Sequence, residues 1–249
     1  MSIDCKWNWH NTGHQVWYDD QTFETLENTF PLQYYDDFLG VAGGQVFDGT
    51  YSWNVMRDVG INSTVAIDAN SVNGVFLLTF TADIEAQDTV LFHDDNRSFD
   101  ITHGVIFEAG IDIVELPTLT AQIVFGMCGL DALDKDALLE SAWFKLDGSG
   151  AIVVETDDTT AGHENDDVAT GVTAVPGTYN IYRIDFTTLT DVKFFIDGVR
   201  VCASTTFDMS TLAAGGTAML QPYFSLDKTG DQGLGTIDID YVKILSNRS

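Results

Sequence analysis

Positive charge is scarce in this chain. Eleven Lys and Arg stand against 38 Asp and Glu in 249 residues, for a formal net charge of −27. Such a surface repels phosphate backbones and anionic headgroups, which excludes nucleic acid and membrane as partners. Much of the acid is Asp, a turn former, so solubility and turn building account for many of these side chains. Cysteine is almost as sparse. Cys5, Cys128 and Cys202 are odd in number and widely spaced, which argues against a disulfide framework and for Cys128 and Cys202 as small core residues in a reducing compartment. The start Met1-Ser-Ile-Asp-Cys-Lys has neither a basic nor an apolar region of a secretory signal. Synthesis in a host cytoplasm is therefore expected, and the acceptor-like Asn62-Ser-Thr64 has no consequence. No apolar run reaches the roughly 18 residues of a spanning helix. Gly-x-Ser-x-Gly, phosphate-loop and dinucleotide motifs are also missing.

What is present is apolar and aromatic: 45% hydrophobic and 12% aromatic residues, enough to bury a substantial core. From Asp36 onward, short alternating or apolar runs are punctuated by turn signals: Gly43-Gly44, Asp48-Gly49, Asn73-Gly74, Asp147-Gly148, Pro176-Gly177, Asp197-Gly198 and Gly215-Gly216. The clearest unit is Val192-Lys-Phe-Phe-Ile-Asp-Gly-Val-Arg-Val201, a β-hairpin in which Asp197-Gly198 supplies the two positive-φ residues of a type I′ turn. The pattern predicts an all-β antiparallel sandwich over residues 36–249. One short surface helix is expected around Asp131–Glu140, with Leu130, Leu133, Ala137 and Leu138 on one face. Residues 1–35 read as an extended arm, crowded with Trp7, Trp9, Trp17, Tyr18, Phe23, Phe30, Tyr34 and Tyr35. So many large aromatics imply burial, against the chain's own sheet or against a partner.

The order of motifs resembles a concanavalin A-like lectin/glucanase jelly roll of the laminin-G type. The matching residues are Asp36-Asp-Phe-Leu-Gly40, Phe107-Glu-Ala109, Phe125-Gly126, Tyr182-Arg-Ile184, Phe195-Ile-Asp-Gly198 and Thr236-Ile-Asp-Ile-Asp-Tyr-Val-Lys243. More narrowly, it is similar to jelly-roll proteins of tailed-phage particles, both capsid decoration proteins and fibre modules. That resemblance implies a non-enzymatic virion structural protein, a decoration or cement protein on the capsid exterior. It would dock on the major capsid protein or other virion proteins, as a homo-oligomer, through Trp7, Trp9, Trp17, Tyr18, Phe23 and Phe30.

Two other readings stay open. A carbohydrate-binding adhesion module needs an exposed aromatic beside Asp or Asn acceptors, and Trp53, Trp143 and Tyr223 are the candidates, although a place in the core of a two-sheet sandwich is the commoner fate of any one such ring. A family-16-like glycoside hydrolase is the other. Those enzymes resemble one another in a strand motif Glu-Ile-Asp-Ile-x-Glu, which Gly110-Ile-Asp-Ile-Val-Glu115 copies with glycine in the attacking position, where retaining chemistry needs a carboxylate. Asp112 and Glu115, three apart, fall on opposite faces of a regular strand unless a bulge intervenes. For metals, Asp36-Asp37, Asp94-Asp95, Asp157-Asp158, Asp166-Asp167 and Asp238/Asp240 offer oxygen ligands for a structural Ca²⁺, though none has a diagnostic loop spacing. Cys5, His10 and His14 lack the fourth ligand of a zinc site. His93, His103 and His163 are scattered, and no cofactor is expected.

Overall fold

In a computed structural model, residues 5–9, 15–19, 25–26, 32–38, 53–57, 63–68, 74–93, 99–130, 132–216 and 218–247 are described, with side chains from Tyr34 onward except that of Arg57. Period-two alternation becomes nineteen strands among them. The N-terminal strands β1 (Cys5–Trp9), β2 (Gln15–Asp19) and β3 (Thr25–Leu26) form a small antiparallel sheet of their own. There follow β4 (Leu32–Asp36), β5 (Asn54–Arg57), β6 (Thr64–Ile67), β7 (Phe76–Thr79), β8 (Ala86–Phe92), β9 (Phe99–Asp100), β10 (Ile106–Glu115) and β11 (Gln122–Cys128). The chain continues through β12 (Glu140–Leu146), β13 (Ala151–Asp158), β14 (Asn165–Thr173), β15 (Tyr179–Asp185), β16 (Lys193–Ile196), β17 (Val199–Val201), β18 (Met219–Thr229) and β19 (Thr236–Ser246).

Sixteen of these strands form two antiparallel sheets of eight. Sheet I runs β17-β16-β15-β10-β19-β7-β6, with β4 also on β19; sheet II runs β14-β13-β12-β11-β18-β8-β5, with β9 also on β18. The strand Leu32–Asp36 pairs with Val242–Ser246, so the sandwich begins within the segment read as arm.

Strand residues alternate between the core and the outer faces, as the pleat requires. Phe107, Ala109, Ile111, Tyr182, Ile184, Phe194, Ile237 and Ile239 point inward from sheet I and meet Ile123, Phe125, Phe144, Leu146, Val154 and Phe224 from sheet II. Phe125, Phe144 and Tyr182 interlock at centroid distances of 4.7 to 5.6 Å. Each fully buried aromatic of this kind contributes about 2–3 kcal/mol. The predicted hairpin is present. Asp197 (φ +49°) and Gly198 (φ +75°) close a two-residue turn between Ile196 and Val199.

The predicted helix is not where the sequence placed it. Over the described part of 131–140 there is a single 3-10 turn, Lys135–Ala137, capped by Asp134, which accepts the Asp136 amide at 2.9 Å. The rest is a strap across the outer face of sheet II. Leu133, Ala132 and Leu138 pack there on Trp143, Tyr223 and Val124, and the Tyr223 hydroxyl donates to the Ala132 carbonyl at 3.0 Å. Packing outward-facing aromatics outweighs a weak local helix preference. The α-helix among the described residues is α1 (Ser210–Gly215), which buries Leu212.

One end of the sandwich is tied by a buried cation. The Lys228 ammonium is enclosed and donates to the carbonyls of Thr81 and Asp83 at 2.7 Å each and of Gly233 at 3.1 Å.

Candidate functional site

The aromatics expected to stack on sugar are buried. Trp53 is 0% exposed, gives its indole N–H to Asp36 Oδ2 at 2.8 Å, and packs among Phe38, His93 and Phe224. Trp143 and Tyr223 stack on each other at 6.1 Å beneath the 132–138 strap. Trp143 gives its N–H to Glu155 at 2.8 Å. None of the three offers a free ring face, because coverage from a distant segment decides exposure. Of the arm residues, Trp7, Trp9, Trp17 and Tyr18 lie in β1 and β2, where Trp7 pairs with Trp17, while Phe23 and Phe30 lie outside the described residues.

Of the acidic doublets, Asp157, Asp158 and Asp167 are engaged locally. Asp157 and Asp158 accept the Thr159 and Thr160 amides at 2.8 and 3.0 Å, and Asp167 pairs with Lys145 at 2.9 Å. Asp94, Asp95, His10 and His14 lie outside the described residues, as does the Cys5 side chain. Among the described residues, no group of three or more His, Cys, Asp or Glu is arranged to hold a metal ion.

The open surface is the outer face of sheet I. Arg200, Phe195, Arg183, Glu108, Lys243 and Tyr35 stand opposite one another on six neighbouring strands, a row about 24 Å long at roughly 4.8 Å per strand. Directly opposed residues project to the same face, so the row is continuous. The next row is Ile181, Gly110 and Tyr241, and the one beyond it Tyr179, Asp112, Asp238 and Leu77.

Tyr241 is the centre of this surface. Its ring lies over Gly110, where a Cβ would meet Tyr241 Cε1 at 2.7 Å. It stacks on Tyr35 at 5.8 Å with a 28° interplanar angle, and donates its hydroxyl to Glu108 Oε1 at 3.1 Å. Lys243 Nζ reaches the same oxygen at 3.5 Å. Tyr35 remains 54% exposed, Tyr179 46% and Ile181 44%. Sequence reasoning missed this pair, because Tyr35 and Tyr241 meet only when the first and last strands of the sandwich pair.

Asp112 and Asp238 face each other beside the tyrosines. Burial pushes both carboxyls above their ordinary range; Asp68 and Asp112 add repulsion at Asp238, which reaches about 6, while the Gly177 and Thr178 amides partly offset the rise at Asp112. One oxygen of each is buried without a hydrogen-bond partner. The ladder slips between Ile113 and Glu115. That bulge sets Glu115 opposite Thr236, on the same face as Asp112 opposite Asp238, in place of the opposite faces a regular strand would give. The position matching the hydrolase's attacking carboxylate is Gly110, and Tyr241 covers it.

Two depressions lie away from this face. A depression of about 400 Å³ on the outer side of sheet II is walled by Asp88, Asp134, Asp136 and Asp227 around Lys135. Its ammonium is bonded to Asp136 at 2.6 Å and lies 3.9 Å from Asp227. An apolar one of about 190 Å³ is bounded by Leu130, Ala132, Leu138 and Leu139. Neither presents a stacking ring.

No family model matches this sequence, and no curated protein matches it. Solved structures do. A protein from work on endo-acting O-glycanases of the human gut microbiota that initiate mucin breakdown superposes with a TM-score of 0.59 at 14% identity, over 86% of this chain and 99% of the other. A protein of unknown function from Shewanella oneidensis MR-1 gives 0.54 at 11% identity, over 88% and 89%. The metal-free Emp46p carbohydrate recognition domain gives 0.52 at 10% identity, over 86% and 96%. At such identities the likeness establishes architecture: the chain has the concanavalin A-like jelly-roll fold.

Proposed function

We propose that the chain is a carbohydrate-binding module that holds saccharide on the outer face of sheet I without turning it over. The Tyr35–Tyr241 stack carries this reading: a half-open Tyr35 ring beside a partly buried Tyr241, braced by Glu108 and Lys243 on a β-sheet face, offers an apolar platform for a sugar ring flanked by hydrogen-bonding groups. Glycine beneath Tyr241 supports binding over hydrolysis, since a carboxylate at position 110 would have to displace that ring. Glycan-array screening followed by titration calorimetry tests this. Tyr241→Ala should weaken the best array ligand at least tenfold while the fold persists, and an array with no saturable ligand refutes the proposal.

A second reading, decoration of a phage particle, is favoured by the separate β1–β3 sheet with its cross-strand Trp7–Trp17 pair. Tryptophans gathered outside the sandwich fit a docking element for capsid or sister subunits, and a glycan-binding sandwich displayed on a virion unites the two readings. Removing residues 1–30, which spares β4, should leave a folded sandwich that no longer co-sediments with particles; retained co-sedimentation counts against docking through this sheet.

A further inference from the structure

Basic side chains are few, and those described are mostly taken. Lys135, Lys145, Arg200 and Lys243 pair with carboxylates, and Lys228 is sunk among carbonyls. Arg183 and Lys193 are different. Among the described residues, no carboxylate lies within ion-pair distance of either. Lys193 stands opposite Asp185, yet Asp185 Oδ1 is engaged by the Thr187 amide and hydroxyl. Arg183 stands opposite Glu108, whose Oε1 takes Tyr241 and Lys243.

Both cations lie on the outer face of sheet I and flank Phe195, one opposite it and one two residues before it on the same strand. The Arg183 guanidinium is seated 3.9 Å over the Phe195 ring, and its Nε is buried without a partner. Stacking holds the planar fork in place while leaving its outer N–H groups uncommitted. Diagonal neighbours across a ladder lie about 7–8 Å apart, so one anionic group can bridge the two. The row runs from Phe195 through Arg183, Glu108 and Lys243 to Tyr35.

We infer that the saccharide bound on this face is an acidic one, with a carboxylate or sulfate held by Arg183 and Lys193 beside Phe195 while a neighbouring sugar lies on Tyr35 and Tyr241. The inference rests on the carbohydrate reading above and adds the ligand's charge. A charge-assisted, bidentate contact from Arg supplies the selectivity. Polyphosphate chains are disfavoured because the rest of a −27 molecule repels their charge density. A single acid group per sugar engages the local cations alone.

The test titrates a panel of neutral oligosaccharides and, for each that binds, its uronic-acid and sulfated counterparts, against the wild-type chain and a doubly substituted Arg183→Gln, Lys193→Gln chain. The acidic counterpart should bind about tenfold tighter, roughly 1.4 kcal/mol. That preference should vanish in the double variant, with neutral-sugar affinity and melting temperature unchanged, and should shrink as salt is raised. Equal affinity for neutral and acidic members, or a preference that survives the double substitution, overturns the inference and leaves the carbohydrate reading standing. Binding of no member overturns both.

Discussion

The two outer faces of this sandwich come from the same alternation and end differently. On sheet II the outward row Trp143, Gly126, Tyr223 and Phe92 is aromatic, and the strap over residues 132–138 closes it into a second small core. On sheet I the outward row from Arg200 to Tyr35 mixes rings with charges and stays partly open, with Tyr35 54% exposed. An outward aromatic thus becomes part of a core where a connection covers it, and stays exposed where none of the described segments crosses it.

Truncating one ring on each face is the sharpest way to break that contrast. Trp143→Ala removes a covered indole, its bond to Glu155 and its stack on Tyr223. It should cost about 3–5 kcal/mol, a fall of roughly 10 °C or more in melting temperature. Tyr35→Ala on the open face should cost no more than about 1 kcal/mol while weakening glycan binding. Equal losses in thermal melts would erase the distinction.

Acidity offers a second, smaller contrast. Asp227, mostly buried beneath Lys135 on sheet II, is pushed up to about 6, chiefly by burial. Its folded-state pKa thus exceeds the unfolded value, so the folded state holds the proton longer. Stability from this group is complete below about pH 4 and is lost as pH rises towards 6. Asp227→Asn should therefore gain about 1–2 kcal/mol at pH 7.5 and nothing near pH 4, read from denaturant melts at the two pH values. Asp238→Asn shares the sign, with a smaller gain because that carboxyl is less deeply buried and solvent screens it more. A pH-independent Asp227→Asn effect would refute the shift.

Gly110→Ala should also change stability little. The new methyl meets the Tyr241 ring at 2.7 Å, which must swing aside at a cost of about 1 kcal/mol. Saccharide affinity should nevertheless drop as the Tyr35 stack loosens; calorimetry showing unchanged affinity would separate Gly110 from the platform.

How much of this was legible depends on the range of each signal. The Asp197-Gly198 hairpin was readable because its φ values are set by two adjacent residues, and the sandwich because alternation is local. The fate of Trp143 was not, since its cover comes from residues 132–138, whose apolar spacing imitated a helix while serving a strap. The bulge after Ile113 has no local sequence marker, yet it turns Glu115 to the face of Asp112. The Tyr35–Tyr241 platform depends on pairing residues about two hundred positions apart, and no window of sequence contains it.

Lys228 carries a last consequence. Three carbonyls converging on one positive centre are the kind of cage in which many proteins seat a dissolved ion, but here the charge is an ammonium attached to the chain. A tethered charge cannot be diluted or stripped by a chelator, so this corner of the sandwich should keep its shape in any ionic medium the molecule meets.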